Sequence, residues 1–372
     1  MTVALALLLD AALVATLLAR SRGPIDVMRL LLVLAWGLLF VLVQGALVAL
    51  GWRRFFLSVH LMHGFLFVVA PAFGLLVALG RPWRARHGAR ALAATGALIL
   101  AAVGIDSSLI EPSRLVTERA TVQLAPARAG RVELRIGVLA DLQCDRITEH
   151  ERRAIAQLMS ERPDLILLPG DVAQPEGEAA FRALLPELRA LLADLSAPLG
   201  VYCVLGDIDT ADGLTELLEG TGVRLLRNES VELAWRDRRI TLAGVARLPD
   251  DPEGRALLGR LSAASGDDLR LLLVHKPDWS LELPAGGRID LVVAGHTHGG
   301  QVRLPFVGPL LTLSQVPREM AGGGLFELGG SPLYVSRGVG CERGDAPRIR
   351  FNCPPEVSLL TLRTADGATA GP

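Results

Sequence analysis

The sequence predicts two regions of different fold class, an α-helical transmembrane bundle of about four spans followed by an α/β domain. Two observations predict this division. Runs of more than 20 uncharged residues occur only within the first 112 of the 372 residues, and the mean hydropathy of +0.39 is high for a soluble protein. Beyond residue 130, short apolar runs that each end in a polar residue alternate with helical stretches. The predicted limits are 1–112 for the membrane region, 113–130 for a linker and a first edge strand, 131–365 for the α/β domain and 366–372 for a disordered tail.

Four segments of the first region are candidate membrane spans. The runs Leu30–Gly51 and Phe55–Gly80 contain 22 and 26 uncharged residues, and each exceeds the roughly 20 residues that cross the hydrocarbon core of a bilayer. Two further apolar segments are shorter or contain an aspartate. The predicted spans lie near residues 3–19, 30–51, 55–80 and 91–110.

The arginines of the first region predict how these spans are oriented. The first and third loops carry seven arginines, whereas the second loop carries two. Because positively charged loops stay in the cytoplasm, the polar C-terminal region is expected on the outer side of the cell membrane. The lipid bilayer is thus an expected partner of a multi-pass protein, and the polar region shows no basic surface of the kind that binds nucleic acid.

His60 and His63 lie three residues apart on one face of the third predicted span. Ionisable residues at membrane depth are candidates for transport or metal binding, and Asp10 is a possible partner. The simpler interpretation is that two neutral histidines form hydrogen bonds between helices, because two ligands without a matching pair elsewhere do not make a metal site.

Five predicted strands in the second region end at an aspartate or a histidine. They cover Val132–Ala140, Leu165–Leu168, Val201–Leu205, Leu271–Val274 and Ile289–Ala294. Two helices, Ile147–Arg162 and Ala179–Leu195, are predicted between them from a 3.6-residue periodicity. Since functional groups in an α/β sheet collect at the carboxyl ends of the strands, these aspartates and histidines are expected to meet at one edge.

Aspartate and histidine together suit divalent Mn, Fe, Zn or Mg. His296 and His298 stand on either side of one threonine, and the neighbouring glycines let both rings turn inward. Two ions about 3.5–4 Å apart and bridged by one carboxylate hold a phosphoryl group and activate water. The four cysteines lack CxxC spacing, which argues against a zinc ribbon or a redox site and leaves buried thiols as the simpler alternative to disulfides.

The order of these motifs resembles that of the calcineurin-like metallophosphoesterase family, which runs DxH, GDxxD, GNHD/E, a lone His and GHxH. Here the motifs read Asp141-Leu142-Gln143, Gly170-Asp171-Val172-Ala173-Gln174, Gly206-Asp207-Ile208-Asp209, His275 and Gly295-His296-Thr297-His298. The segments Gly299–Gln301, Arg337–Gly340 and Arg350–Glu356 resemble the membrane-tethered bacterial branch of that family. The resemblance covers about residues 115–365 and implies a four-layer αββα sandwich.

The resemblance also implies two metal sites that share one carboxylate. One ion would be held by Asp141, Gln143 and His298, and the other by Asp207, His275 and His296, with Asp171 bridging them. Gln143 replaces a histidine of the family motif and offers a neutral carbonyl oxygen. Asp207 replaces an asparagine and adds a negative charge, which is expected to hold the ions more tightly.

Ile208 stands where the family has the histidine thought to protonate the leaving group. A positioned general acid is worth about 10²–10⁴ in rate, and isoleucine transfers no proton. The change favours a phosphoanhydride or another activated substrate, or else Asp209 as a substitute catalytic acid.

The sequence therefore predicts a metal-dependent phosphohydrolase with two divalent ions of unknown identity. Its expected substrate is a phosphorylated small molecule or lipid, plausibly lipid-linked or part of the cell envelope, and the sequence identifies no substrate-binding residue. The alternative is a catalytically idle metal-binding membrane scaffold or sensor, and the changes at Gln143 and Ile208 motivate it. A third hypothesis, transport through the spans, rests on His60, His63 and Asp10.

Overall fold

The structure is a computed structural model. It describes eight single residues between 34 and 46, and then residues 55–79, 87–245, 250–284 and 286–364. The chain divides into two compact units, Met1–Ile110 with Glu342–Ile349, and Glu111–Cys341 with Arg350–Pro372.

Two long apolar helices dominate the described part of the first unit. Helix α1 (Phe55–Leu79) and helix α2 (His87–Ser113) have mean hydropathies of 2.1 and 1.8 over their most apolar stretches, and by length and composition both could cross a membrane. The two helices lie close together at Gly74, where an added Cβ would come within 2.9 Å of the Ala97 Cβ.

The predicted spans near 55–80 and 91–110 coincide with these two helices. The span predicted near 3–19 lies outside the described residues, and the span over 30–51 is described at eight positions, all helical. Four spans therefore stay a prediction. His63 Nε2 lies 3.0 Å from the Ser108 hydroxyl oxygen, which agrees with the simpler interpretation that this histidine forms a hydrogen bond between helices.

The described part of the second unit is built on two six-stranded sheets. The strands of the first sheet, in spatial order, are β1 (Val116–Leu124), β14 (Glu356–Thr364), β2 (Leu134–Val138), β3 (Leu165–Leu168), β4 (Val201–Cys203) and β5 (Val223–Leu225). The strands of the second sheet are β12 (Gly324–Leu328), β13 (Ser331–Val335), β9 (Leu291–Ala294), β8 (Leu269–Leu273), β7 (Arg238–Gly244) and β6 (Glu229–Trp235). A small hairpin pairs β10 (Arg303–Leu304) with β11 (Gly308–Pro309).

Six helices accompany these strands. They are α3 (Pro126–Ala129), α4 (Glu149–Ser160), α5 (Glu178–Leu192), α6 (Ala211–Leu218), α7 (Pro252–Ala263) and α8 (Arg318–Ala321), and short 3-10 turns cover Pro277–Glu282 and His298–Gly300. Helix α4 begins after Thr148, whose backbone N–H donates to the Glu151 carboxylate at 2.8 Å.

The side-chain alternation of the strands produces four layers. In β3, Leu165 and Leu167 join the apolar core between the two sheets, whereas Ile166 and Leu168 pack under α4, α5 and α6. Strand β9 divides in the same way, with two residues facing the first sheet and two facing α7. Because the side-chain period of a strand is two, a fully apolar strand covers a core on each face. An α/β domain with mixed sheets is thus confirmed.

The parallel strands of both sheets set the place of the polar side chains. Strands β2, β3 and β4 are parallel neighbours, and so are β7, β8 and β9. The five predicted strands that were expected to end in aspartate or histidine are all present, and none of their ends differs from the prediction by more than two residues. All four cysteines lie in the described part of the chain, and none of them forms a disulfide.

Candidate metal centre

The strand ends bring carboxylates and imidazoles together in two overlapping groups. The ligand atoms of Asp207, His275 and His296 lie within 4.8 Å of one another, and so do those of Asp141, Asp171 and His275. The first group matches the set that the resemblance implies for one ion. The second contains two of the residues expected around the other ion, and His275 belongs to both groups.

Backbone carbonyls fix which nitrogen of each histidine faces the carboxylates. The Nδ1 of His275 lies 2.8 Å from the Pro169 carbonyl oxygen, so its Nε2 points toward Asp171 at 3.6 Å and Asp207 at 4.0 Å. In His296 the order is reversed, because Nε2 lies 3.0 Å from the Leu313 carbonyl and Nδ1 lies 3.2 Å from Asp207. A ring N–H that donates to a carbonyl leaves the other nitrogen as a lone pair available to a metal.

Asp171, which the resemblance implies as the bridge between the ions, is held in place by two hydrogen bonds. Its Oδ1 accepts a hydrogen bond of 3.0 Å from the backbone N–H of Ile208, and its Oδ2 accepts one of 3.1 Å from the Gln143 amide. Burial raises the pKa of Asp171 to about 6, and the nearby charge of Asp207 acts in the same direction. The contact of Asp171 with two ions stays a prediction.

Asp207 is paired with the single lysine of the chain. The Nζ of Lys276 lies 3.0 Å from Asp207 Oδ2, the same oxygen that faces His296. Burial works against a low pKa at Asp207, but the Lys276 ammonium and the charges that His275 and His296 carry when they are protonated in acid outweigh it and lower the pKa of this carboxyl. The ammonium therefore offsets the negative charge that Asp207 adds to the family motif.

Asp141, Gln143 and His298, the three residues that the resemblance implies for the other ion, are all buried. Both carboxylate oxygens of Asp141 accept the backbone N–H of His296, at 3.0 and 3.1 Å. Burial, together with the positive charge of Arg350, lowers the pKa of His298 well below its usual value. His298 is not a member of either close ligand group among the described residues.

Asp209 holds two site loops together through its carboxylate. Its Oδ2 accepts the backbone N–H groups of Asp171 at 2.8 Å and Gly206 at 2.9 Å, and its Oδ1 accepts that of Val172 at 3.2 Å. Burial raises the pKa of Asp209 to about 6, and the charge of Asp171 adds to the effect. The catalytic role predicted for Asp209 stays a prediction, and its hydrogen bonds also give it a structural role.

Most of the predicted ligands have a strained backbone. Five of the seven adopt positive φ, namely Asp141 (47°), Gln143 (41°), Asp171 (53°), His296 (72°) and His298 (49°). A residue other than glycine in this region costs about 1–3 kcal/mol and persists where the surroundings over-determine it. Strain concentrated at these positions is typical of a functional site.

Glycines allow the two aspartate loops to approach each other. A Cβ added to Gly206 would lie 2.1 Å from Asp171 Oδ1 and 2.2 Å from its backbone nitrogen. A Cβ on Gly170, which has a φ of +94°, would lie 2.5 Å from the nitrogen of Gly206. Neither glycine tolerates a side chain without movement of the backbone that carries Asp171.

A buried arginine supports the loop behind Asp141. Gly340 donates its N–H to the Asp141 carbonyl at 2.8 Å. Arg350 is fully buried, and its guanidinium donates to carbonyl oxygens of this loop and of Cys353. The segments Arg337–Gly340 and Arg350–Glu356 both belong to the resemblance described above. No sequence pattern indicates that Arg350 holds the other segment in place.

The donor set fits divalent cations. His275 is fully buried, and among the described residues its Nε2 has no hydrogen-bond partner, although it points at two carboxylates. Burial lowers the pKa of His275 and His296, so that their rings are neutral at neutral pH. Neutral imidazoles and carboxylates are the form in which these side chains bind Mn, Fe, Zn or Mg.

Comparisons with known proteins agree with this geometry. A family model described as calcineurin-like phosphoesterase matches residues 134–300. The chain is 31% identical over 269 residues to the uncharacterized metallophosphoesterase YkuE of Bacillus subtilis, covering 69% of this chain and 88% of that protein. It is 31% identical over 251 residues to the phosphodiesterase YaeI of Escherichia coli, covering 64% of this chain and 86% of that protein. An uncharacterized metallophosphoesterase of Aquifex aeolicus is 30% identical over 270 residues, covering 69% of this chain and 95% of that protein.

Proposed function

The chain belongs to the calcineurin-like phosphoesterase family, and from this premise we propose that it is a hydrolase with two divalent ions that cleaves an activated phosphoester or a phosphoanhydride. Metal-dependent phosphoester hydrolysis is the activity that the family and the names of its relatives indicate. The finer proposal of two ions rests on the two ligand groups, which share His275. Asp171 belongs to one of these groups, and its carboxylate lies 3.6 Å from the Nε2 of His275.

Each residue of the centre has a distinct part in this proposal. Divalent ions supply the positive charge that stabilises a phosphoryl transition state and lowers the pKa of water. Asp141, Asp171, Asp207, His275, His296 and His298 hold them, with the carbonyl of Gln143 as a neutral ligand. Lys276, beside Asp207, adds a cation that a substrate phosphate oxygen would meet at this edge of the site.

Ile208 limits the leaving groups that this centre can expel. Its backbone N–H is committed to Asp171, and the residue lines a cavity of about 360 Å³. Apolar residues of α5 and α6, such as Phe181 and Leu214, and charged residues of the same helices, Glu178, Arg182, Asp212 and Glu216, also line it. Isoleucine supplies no proton to a leaving group. We therefore expect leaving groups that are stable as anions, such as a phosphate or an aryl oxide.

Turnover of a matched substrate series tests this proposal. The purified full-length chain with added manganese should hydrolyse pyrophosphate-type and aryl substrates much faster than alkyl phosphodiesters. Ile208→His should raise turnover of alkyl esters by on the order of 10²-fold and change aryl esters little. His296→Ala should abolish both activities together with metal binding. A wild-type preference for alkyl esters would rule out the leaving-group proposal.

A second candidate function is a metal-binding membrane scaffold without turnover. Two observations favour it, the isoleucine at 208 and the three backbone N–H groups that occupy the Asp209 carboxylate. Full metal occupancy without hydrolysis of any ester or anhydride, in both the wild type and Ile208→His, would identify the scaffold.

We further propose that the chain is of the membrane-tethered type, with its hydrolase domain outside the cytoplasm and a lipid-linked or cell-envelope substrate. The helices α1 and α2, which could span a membrane, and the arginine distribution support this proposal. A protease added to intact cells should remove a tag at the C-terminus. Protection of the tag until the cells are opened would reverse the orientation.

A further inference from the structure

The hairpin beside the metal centre exposes apolar side chains in an unusual concentration. We call residues 303–313 the apolar hairpin. Its exposed large apolar residues are Leu304 (38%), Phe306 (109%), Val307 (53%), Leu310 (52%) and Leu313 (43%). Phe306 at its tip is fully exposed and adopts a φ of +65°, a conformation that is uncommon for an aromatic residue. A contiguous apolar surface on a polar domain marks an interaction site.

This hairpin is tied directly to residues of the metal centre. The Leu313 carbonyl is the hydrogen-bond partner of His296 Nε2 at 3.0 Å. Just beyond the hairpin, the Asp278 carboxylate accepts the hydroxyl of Ser314 and the backbone N–H of Gln315 at 2.9 Å. Asp278 belongs to the 3-10 turn that follows His275 and Lys276. A partner that binds the hairpin is therefore held next to the site.

The charges around the hairpin indicate which partner it suits. No aspartate or glutamate occurs from Val302 to Arg318, and Arg303 lies at the base of the hairpin. Arg318 and Glu319 are both exposed on α8, so these flanking residues carry a net charge of one positive unit. Helix α8 packs against β11, so its arginine belongs to the same surface. Apolar side chains flanked by cations complement the acyl chains and anionic headgroups of a bilayer.

We propose that the apolar hairpin inserts into the surface of an anionic lipid bilayer. The same chain carries two helices that could span a membrane, which would keep a bilayer at high effective concentration. Insertion would place the metal centre at the headgroup level. This inference does not depend on catalysis and would hold for a hydrolase or for a scaffold.

Depth measurements on the intact chain test the insertion. A nitroxide is attached at Phe306→Cys in a Cys341→Ser background, since the other three cysteines are buried, and the protein is reconstituted in vesicles of phosphatidylcholine with phosphatidylglycerol. The matched control is Arg236→Cys, because Arg236 is an exposed residue with a φ of +53° at the β6–β7 turn. The measured quantity is the ratio of the oxygen collision rate to the collision rate with a water-soluble nickel chelate. This ratio should be about tenfold higher for the label at 306 than for the label at 236. A second label at Val307→Cys should give the same result, and it controls for a hairpin that is disrupted by the substitution of Phe306.

Three results would overturn the proposal or its parts. Equal nickel access at 306 and 236 would show that the hairpin lies in water. A label at 306 that is shielded from both reagents would show burial against protein, as in a second copy of the chain. Equal insertion in vesicles of phosphatidylcholine alone would exclude the role of Arg303 and Arg318. Because no turnover is measured, failure here is distinguishable from failure of the proposed hydrolase.

Discussion

At the scale of single residues, Lys276 forms an ion pair with Asp207, the aspartate that replaces an asparagine of the family motif. The ammonium lies 3.0 Å from the carboxylate oxygen that also faces His296. Lysine and a divalent ion therefore compete for the same oxygen, and the lysine keeps the net charge close to that of an asparagine at position 207.

Removal of the lysine should separate metal binding from turnover. Lys276→Met leaves Asp207 without its ammonium, so manganese should bind several-fold more tightly, while KM for the substrate should rise about tenfold. Isothermal titration and steady-state kinetics measure the two effects. The matched control is Asp207→Asn combined with Lys276→Met, which should return the metal affinity toward that of the wild type. Equal losses of both properties in Lys276→Met would contradict this role.

Metal affinity should depend on pH through Asp171. Its folded-state pKa of about 6 means that in the metal-free protein the carboxyl is protonated below that pH. A bound ion must then displace a proton, so the affinity should fall about tenfold per pH unit below 6. Above pH 7 it should be nearly constant, because the pKa values of His275 and His296 are lowered and both rings are already neutral. Manganese titrations from pH 5 to pH 8 check this, and a constant affinity across pH 6 would contradict it.

At the scale of elements, the loop Arg337–Gly340 depends on a buried arginine. The Arg350 guanidinium donates to the carbonyls of Arg337 at 2.8 Å, Gly338 at 3.1 Å and Cys353 at 3.2 Å. Buried carbonyls without donors are costly, since each loses its hydrogen bond without regaining water. This guanidinium therefore positions the backbone that contacts Asp141.

Loss of this arginine should destabilise the second unit and weaken metal binding together. Arg350→Met should lower the free energy of unfolding by about 3 kcal/mol, because it leaves several buried carbonyls unpaired. The matched control is Arg363→Met in β14, where the side chain is half-exposed and lies 3.7 Å from Glu133; its effect should stay within about 0.5 kcal/mol. Thermal unfolding monitored by tryptophan fluorescence measures both variants. Equal effects of the two substitutions would contradict the supporting role of Arg350.

At the scale of the whole molecule, the second unit has its own core and an edge strand that completes it. Strand β1 pairs in parallel with β14 over nine residues, from Val116 opposite Glu356 to Leu124 opposite Thr364. Its residues Val122 and Leu124 are buried in the core between the sheets. The domain therefore begins before β2, the strand that leads to Asp141, and includes β1.

Fragments of the chain should reveal this dependence. Residues 111–364 should fold alone and bind manganese, because they retain β1 and the contact between Glu111 and the Cys353 backbone at 2.8 Å. Residues 131–364 should be much less stable, since burial of Val122 and Leu124 is worth about 1.5–3 kcal/mol for each side chain, and β14 would become an exposed edge. Melting temperatures and solubility of the two fragments decide the matter. Equal stability would show that β1 is dispensable.

The sequence by itself determined the features that depend on local pattern. Apolar run length indicated the spans near 55–80 and 91–110, which match helices at 55–79 and 87–113. Short apolar runs that each end in a polar residue indicated the α/β domain with its aspartates and histidines. These features are readable because they are repeated along the chain at short spacing.

Only the tertiary structure decided which atoms face one another. The orientation of His275 depends on a carbonyl 106 residues away, and the contact between Asp141 and His296 spans 155 residues. Every residue has a backbone carbonyl, so the sequence does not reveal that the carbonyls of Pro169 and Leu313 are the ones that contact the two histidines. The Lys276 contact with Asp207, the backbone hydrogen bonds of Asp209 and the exposure of Phe306 likewise arise where distant segments pack, so no local pattern could indicate them.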